Sequence, residues 1–595
     1  MDRSPESLVV ARWLSDFSAA LARNDMSAVL DLFGEDCYWR DLVAFSWNIA
    51  TLEGKPAIAD LLRRALLHLA PVKVEPHGEP STTDGVTLGW FTFETRQARG
   101  RGCVRLKNGR GWTLFTAGLE LKGHEEKSGF RRDEGIRLGP HRDRLPWGDA
   151  RARAAHELGQ TIQPYCVVVG AGQGGLALGA RLKRLGVPTL IVDSFPKPGD
   201  SWRYRYKSLC LHDPVWFDHM PYLPFPDHWP VYSPKDKMAD WLEMYAKVME
   251  LDVWNETRCI GARFDSHRGE WSVEVVRSGE SVTLRPKHFV LATGLSGKPK
   301  LPWLPGTEQF VGLRMHSSDY RGAEELTGKR CVVVGSNNSA HDICLDLWEH
   351  GIDVTMVQRS PTLVVRLESL RKVLDTGPYS EAAVQKGMTT EQADLMAASL
   401  PYRLQRDISV KNYERYKAMD AEFYDRLRAA GFRVHFGEDE SGIATMYLRR
   451  AAGYYIDVGA SELIADGRIK LVSGTDVARL ERDRLVMNDG RSLPADAVIF
   501  ATGYEPMNSW AATLISPAVA EAVGRCWGLG SGTRDDPGPW EGELRNMWKP
   551  TRQDGLWFHG GNLAQSRFYS LFLALQIKAR YERLETPVYR SSVSA

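Results

Sequence analysis

The stretch Cys166-Val-Val-Val-Gly-Ala-Gly-Gln-Gly-Gly175 constrains the fold more than any other part of the chain. A short apolar run enters Gly170-x-Gly172-x-x-Gly175, and apolar residues at helical spacing follow at once. Strand, glycine turn and helix in that order make a dinucleotide-binding fingerprint. Gly170 permits the tight turn, Gly172 lets the backbone approach a pyrophosphate, and Gly175 lets the helix pack on the sheet. Gly174 lies in the same turn. The helix start offers free N–H groups to the phosphates. The next strand, over 189–192, ends at Asp193, about where an acid bonds a ribose hydroxyl.

The signal recurs at Cys331-Val-Val-Val-Gly335-Ser-Asn337-Asn338-Ser339-Ala340. Here the second and third glycines are replaced. Ala is an accepted third residue, and Asn337 is read as tolerating a left-handed backbone. Asn338 and Ser339 are counted with this phosphate turn. The strand over 354–357 runs into Gln358-Arg359-Ser360, with no acid. An Arg there pairs bidentately with a 2′-phosphate, which favours NADPH over NADH. Each start has a matching end, Leu291-Ala-Thr293-Gly294 and Phe500-Ala-Thr502-Gly503. Their small residues let the chain pass close to a cofactor. Two such starts and ends form an internal duplication.

At 595 residues, about four domains are expected. A net charge of +1 gives no reason to expect nucleic acid or an anionic membrane as partner. No apolar run approaches the roughly twenty residues of a membrane span. The eight cysteines include no C-x-x-C pair, so neither a metal site nor a dithiol redox motif is expected, and scattered thiols fit a reducing cytosol. The start, Met1-Asp-Arg-Ser-Pro-Glu, lacks the pattern of a signal peptide, and a cytoplasmic location is expected.

Before the first fingerprint, residues 8–22, 26–33 and 56–69 have helical periodicity, with Asn24 or Asp25 capping the second. Val86, Leu88 and Trp90 alternate as in a strand, and Asn108-Gly109 marks a hairpin. Helices followed by a curled antiparallel sheet, with Cys37–Asp41 between helices, make an α+β unit over 1–125. It resembles the cone-shaped fold of nuclear transport factor 2. Relatives of that fold include scytalone dehydratase and ketosteroid isomerase, so Asp36, Asp41 and His68 are candidates for a second active site. The competing reading is an accessory or dimerisation unit, with a homodimer as the assembly that would follow. Residues 126–164 read as a charged linker that tethers rather than packs.

The rest divides into 165–325, 326–495 and 496–595: two Rossmann-like α/β domains, the first discontinuous and the second inserted in it. After Asp193 come Pro198-Gly-Asp-Ser201-Trp202-Arg203, Leu209-Cys-Leu-His212 and Met220-Pro-Tyr-Leu-Pro-Phe-Pro226. Between the folds lies Phe310-x-Gly312-x-x-x-His316-x-x-x-Tyr320. These motifs resemble the flavin-containing monooxygenases, closest to the plant YUCCA branch. The resemblance implies FAD in the first domain, held by Gly170, Gly172, Gly174, Gly175, Asp193, Ser201, Trp202, His212, Thr293 and Gly294. Gly561 and Asn562 complete that site from the segment Leu556-Trp-Phe-His-Gly-Gly-Asn562, followed by a helix over 568–580. It implies NADPH in the second, on Gly335, Asn337, Asn338, Ser339, Arg359, Thr502 and Gly503. His212 stands where other branches carry a flavin-facing Asn, and is expected to help hold a flavin hydroperoxide by hydrogen bonding. His212, His316 and Asn338 are the candidate catalytic residues. An insertion over 361–455, helical at 389–400 and 411–430, suggests a substrate cover, with Arg366, Tyr402 and Tyr413 as candidates to face substrate. Residues 585–595 read as frayed.

The implied activity is NADPH- and FAD-dependent monooxygenation. One O₂ oxygen passes from a flavin C4a-hydroperoxide to a small organic substrate, by N- or S-oxygenation, Baeyer–Villiger insertion or decarboxylation of a 2-oxo acid. Tyr320-Arg321, where Baeyer–Villiger enzymes usually carry Trp followed by Pro or Asp, tilts the resemblance towards heteroatom oxygenation. The competing readings are a flavin reductase or oxidase without oxygen transfer, and a flavin-binding scaffold with a partner-recruiting N-terminal unit.

Overall fold

The computed structural model describes residues 4–136 and 138–590. The N-terminal unit packs helices Pro5–Ala22, Met26–Asp31 and Gly54–Leu69 on a six-stranded sheet. Its strand order is Ile49–Glu53, Phe33–Leu42, Arg110–Leu121, Ala98–Lys107, Val86–Glu94, Lys73–Thr83. The first helix starts earlier than expected, because Ser4 caps it and Pro5 fits its first position. Asp25 caps the second helix through the Ala28 N–H. That helix stops at Asp31, because Phe33 already belongs to a strand. Two strands precede the third helix, and Phe33–Leu42 runs parallel to Arg110–Leu121. The sheet is therefore mixed, not an antiparallel sheet after the helices. The Asn108-Gly109 hairpin is as expected, with both residues at positive φ.

Both faces of this sheet are covered except along its edge strand Lys73–Thr83, which is mostly exposed. One meets the helices through an aromatic core, in which Trp13–Phe17, Trp39–Phe45 and Phe45–Phe93 stand 5.0, 4.9 and 5.8 Å apart. The other, through Leu42, Trp47, Phe115 and Ala117, shares a core with Trp548, Tyr569 and Phe572 from the end of the chain. The segment after the sheet carries the short 3-10 turn Gly129–Arg131 and the α-helix Trp147–Glu157, neither with a buried residue. Arg151 of that helix pairs with Asp252 at 2.6 Å.

Two parallel five-stranded sheets follow. The first has the order Leu556–Phe558, His288–Leu291, Cys166–Val169, Thr189–Val192, Val253–Trp254. Its outer strand returns from the end of the chain, and helices Gln173–Arg184 and Leu563–Tyr581 pack together. The second has the order Leu313–His316, Ala497–Phe500, Arg330–Val334, Asp353–Gln358, Lys470–Ser473. Each sheet is built from near-continuous Val, Ile and Leu runs, as strands buried on both faces require.

The insertion is more helical than its sequence suggests. Thr390–Ala398 has a reciprocal capping box between Thr389 and Gln392. The next helix begins at Tyr402, and a break at Asp420 separates it from Ala421–Ala429. The C-terminal helix starts at Leu563, five residues before the expected start, because Asn562 and Gln565 form a capping box. The tail is not frayed through its described part. Tyr589 is 6% exposed, its N–H donates to Ser46, and its carbonyl accepts from Asn48. Residues 591–595 lie outside the described residues. No helix among the described residues is long and apolar enough to cross a membrane.

Burial pushes His341, stacked at 3.9 Å on Tyr455, down to about 3. Folded His341 thus binds fewer protons than the unfolded residue between its folded value and about pH 6.5. Its stabilising contribution is complete above that pH and is lost as the pH falls through the window. Buried carboxyls pushed upwards, such as Asp218, act in the opposite sense. A difference between two proteins isolates the histidine. The urea-unfolding advantage of wild type over His341→Gln should shrink by about 1.4 kcal/mol per pH unit below about pH 6. A constant difference would show that the ring titrates normally.

Candidate functional site

The first fingerprint turn is closed by backbone. Gly170 has φ +114°, and a Cβ there would lie 2.4 Å from the Ala292 carbonyl oxygen. A Cβ on Gly175 would lie 1.8 Å from the Gly170 oxygen. Gly172 is extended, and a Cβ would meet Ser201 Oγ at 3.3 Å. One on Gly174 would stand 3.2 Å from Gly560 Cα. Trp202 Nε1 donates to Gln173 at 3.0 Å, and Gln173 donates to the Gly561 carbonyl at 3.2 Å. Gly172, Gly174, Ser201, Trp202 and Gly561 therefore converge on one turn, drawn from three distant segments. Asp193 faces it too. Its carboxylate accepts the N–H groups of Ala171 and Phe195, and burial raises its pKa. Two N–H bonds leave acceptor capacity for a ribose hydroxyl, since a carboxylate takes about four.

These residues fit FAD. The helix Gln173–Arg184 has no side-chain cap, so its first N–H groups are left for phosphate oxygens. Thr293 Oγ is buried without a hydrogen-bond partner in the chain, beside Gly294 at φ +75°. At the other end, Gly560 and Gly561 have φ +147° and +106°, and Asn562 caps the C-terminal helix through the Gln565 N–H at 2.9 Å.

The second turn repeats the geometry. Gly335 has φ +136°, and its Cβ would lie 2.4 Å from the Ala501 oxygen. The helix Asn338–Glu349 likewise lacks a side-chain cap. Asn337 has φ −101° and ψ −168°. It is extended, not left-handed, which corrects the reason given for Asn at this position: any residue adopts that backbone. Asn338 Oδ1 accepts the Ile456 N–H at 3.0 Å and ties the turn to the strand Tyr454–Asp457. Ser339 lies in the first turn of the helix. Arg359 is 72% exposed at its side chain, 3.3 Å from Asp476. Gly503 has φ +81°, and Thr502 Oγ donates to the Lys300 carbonyl at 2.6 Å.

The linker motif binds the chain to itself. Phe310 is buried, a Cβ on Gly312 would lie 2.6 Å from Asp496 O, and Tyr320 OH donates to Asp346. His316 is fully buried. Its Nε2 lies 3.0 Å from the Gly503 carbonyl, and its Nδ1 accepts the Ser318 N–H at 3.1 Å. Burial lowers its pKa. With both nitrogens hydrogen-bonded within the chain, His316 is placed as a joint between linker and second fold, with no ring nitrogen left free for the expected catalytic role. His212 is only half-buried. Its ring stands 6.4 Å from that of Tyr454, edge to face. Nearby, Tyr206 OH donates to Asp342 at 2.7 Å, joining the two folds.

Several expected residues are placed elsewhere. Asp41 accepts from Phe45 N, Ser46 N, Ser46 Oγ and Thr116 Oγ, so its carboxylate holds a turn. His68 pairs with Glu585 at 3.2 Å, and Asp36 is exposed. The three do not converge. Tyr402 and Tyr413 are core residues, and Arg366 faces Glu368 and Asp420, so none is a substrate wall. Two contacts escaped sequence reading. Tyr447 OH, from the insertion helix Gly442–Arg450, accepts the Asn562 N–H at 3.0 Å. Arg567 pairs bidentately with Asp394 at 2.7 and 2.9 Å, fastening the insertion to the C-terminal helix. Neither has a spacing signal, because each joins segments over a hundred residues apart.

Comparison with known proteins agrees with this geometry. Residues 167–436 match the family model described as pyridine nucleotide-disulphide oxidoreductase. The chain is 30% identical to the indole-3-pyruvate monooxygenase YUCCA1 of Oryza sativa subsp. japonica, over 60% of this chain and 81% of that protein. It is 32% identical to the probable indole-3-pyruvate monooxygenase YUCCA7 of Arabidopsis thaliana, over 58% and 75%. Among solved structures, open cyclohexanone monooxygenase has the same fold, with a TM-score of 0.50 and 17% identity, over 70% of this chain and 88% of that one. The glycine turns, the linker motif and the relatives' coverage agree: this chain belongs to the flavin-containing monooxygenase family and is a flavin-dependent monooxygenase.

Proposed function

We propose that the chain holds FAD on its first nucleotide fold and NADPH on its second, and transfers one oxygen atom of O₂ to a small organic substrate. The observation that carries this reading is the paired closure of the two glycine turns. A Cβ on Gly170 would lie 2.4 Å from Ala292 O, and one on Gly335 would lie the same 2.4 Å from Ala501 O. In both places the backbone occupies the space of a side chain and leaves the helix start bare for phosphates. When bound, the flavin supplies the hydride and oxygen chemistry. The chain's own work is placement. Asp193 orients the ribose, the Gly560-Gly561-Asn562 turn supports the ring, and Asn338 sets the second turn. His212 is left to hydrogen-bond at the reacting edge. The limits expected from sequence, 165–325, 326–495 and 496–595, are moved to the sheet: Leu313–His316 and Ala497–Phe500 are strands of the second fold, so it is drawn from about 313 to about 500.

The N-terminal unit, 1–125, is assigned to the cone-shaped fold of nuclear transport factor 2 on its three helices and six-stranded sheet, with an accessory role. Its aromatic core fills the space between sheet and helices.

Arg359 supports NADPH, since an exposed guanidinium at the end of the second strand suits a 2′-phosphate. Arg359→Ala should raise the KM for NADPH about ten- to hundredfold, as losing a hydrogen bond to a charged group costs about 1.5–3 kcal/mol. The KM for NADH should not move. Equal loss with both would remove the assignment. The activity itself is tested under ¹⁸O₂ with NADPH and a panel of amines, thioethers, ketones and 2-oxo acids. Indole-3-pyruvate, in the relatives' names, comes first. One labelled oxygen in a product supports the reading. Hydrogen peroxide alone with every compound would favour a reductase or oxidase.

A further inference from the structure

Arg40 is the most deeply placed cation of the N-terminal unit, and its partners all lie outside that unit. It sits on the strand Phe33–Leu42 and is 1% exposed. Its Nε and Nη2 donate to the two carboxylate oxygens of Glu543, at 2.6 and 2.9 Å. Nη1 donates to the Ala398 carbonyl at 2.7 Å, and Nη2 also to Tyr569 OH at 3.1 Å. The guanidinium stands 4.4 Å over the Tyr402 ring. Glu543 is itself buried and takes a further hydrogen bond from Thr51 Oγ at 2.7 Å. A solvated surface contact would need none of this. A bidentate pair removed from water holds its partners in one geometry.

From Tyr569 the contacts lead to the first nucleotide fold. The Tyr569 ring stacks on Trp548, 3.9 Å between centroids and 5° from parallel. Trp548 Nε1 donates to the Gly560 carbonyl at 3.1 Å, and that bond is buried. Gly560 has no Cβ and φ +147°, so no side chain of its own fixes its peptide. Trp548 holds its carbonyl, beside Gln173 on the Gly561 carbonyl and Tyr447 on the Asn562 N–H. Arg40, fixed by Glu543, hydrogen-bonds the hydroxyl of the Tyr569 ring that stacks on Trp548.

We propose that Arg40 is a positioning residue for the flavin: through Tyr569 and Trp548, the N-terminal unit sets the orientation of the Gly560-Gly561-Asn562 turn. The unit is then a built-in part of the flavin site and not a detachable module. This inference rests on the assignment of that turn to FAD.

The test uses the full-length chain, stripped of flavin and titrated with FAD. Two readouts serve: the FAD dissociation constant and the visible circular dichroism of bound flavin, which reports ring orientation. Removing Arg40 alone would leave Glu543 buried and unpaired. The variant is therefore Arg40→Met with Glu543→Gln. A second variant, Trp548→Phe, keeps a ring on Tyr569 and removes only the N–H to Gly560. Both should raise the dissociation constant about tenfold, the effect of losing about one net hydrogen bond's worth of placement. Both should alter the visible dichroism in the same way. Arg105→Ala removes a different contact of the same interface, to Ser399 Oγ at 2.7 Å, and should move neither readout. If Trp548→Phe and the folded double variant bind FAD as wild type does, with unchanged dichroism, the inference is overturned. If all three variants shift alike, the role is general packing and the inference also falls. A wild-type chain that takes up no FAD would instead overturn the cofactor assignment beneath it.

Discussion

Gly175→Ala is expected to give a folded protein that purifies nearly colourless. The added Cβ would lie 1.8 Å from the Gly170 carbonyl oxygen, and the backbone fixes the position of both atoms. No rotamer relieves that contact. The first turn of the helix Gln173–Arg184 must move off the strand Cys166–Val169, and the bare N–H groups move with it. Overpacking of this kind costs about 1–3 kcal/mol and occasionally more. If the shift falls on the bound state, FAD affinity drops about ten- to hundredfold. Gly148→Ala is the matched control. It lies in an exposed helix where the added Cβ meets no atom within 4 Å beyond its own helix, and it should retain full flavin. Equal flavin content in both variants, measured by absorbance per chain, would mean that the turn does not carry the pyrophosphate.

Gly335→Ala should separate the two folds. Its backbone, at φ +136°, is one that side-chain-bearing residues rarely adopt, and its Cβ would meet Ala501 O at 2.4 Å. Strain of about 1–3 kcal/mol adds to a clash of similar size. Nothing in this turn belongs to the first sheet, so the variant should stay yellow. Where this combined cost of about 2–6 kcal/mol falls on the bound state, its flavin should be reduced by NADPH at least about thirtyfold more slowly at fixed, sub-saturating NADPH. Rapid-mixing absorbance measures this directly. Reduction at the wild-type rate would place the hydride donor elsewhere.

How much of this was legible depends on distance along the chain. The glycine turns were readable because strand, turn and helix lie within ten residues, each with its own local rule. The hairpin at Asn108-Gly109 was readable for the same reason. The linker motif was visible as a pattern, yet its meaning was not. Phe310, Gly312, His316 and Tyr320 are fixed by packing against Asp496, Gly503 and Asp346, and a pattern does not name its partners. Asn337 was assigned a backbone by analogy with glycine, when the position is extended in both folds. Tyr402 and Tyr413 looked like substrate contacts because tyrosines in an insertion have two uses, and only burial tells them apart. Arg40 and Glu543 are 503 residues apart, and no local signal marks either. The C-terminal tail read as frayed for a related reason, since its anchors are Ser46 and Asn48.

The most direct test of the central claim is anaerobic mixing of the FAD-loaded protein with NADPH, followed by the flavin's visible absorbance. Two nucleotide folds built on the same closure, joined by a linker anchored at Phe310, His316 and Tyr320, predict that the yellow band bleaches fully with one equivalent of NADPH. They also predict that bleaching needs far more NADH. A flavin that stays oxidised in excess NADPH, while remaining bound, would contradict the account. The second fold would then serve something other than hydride delivery.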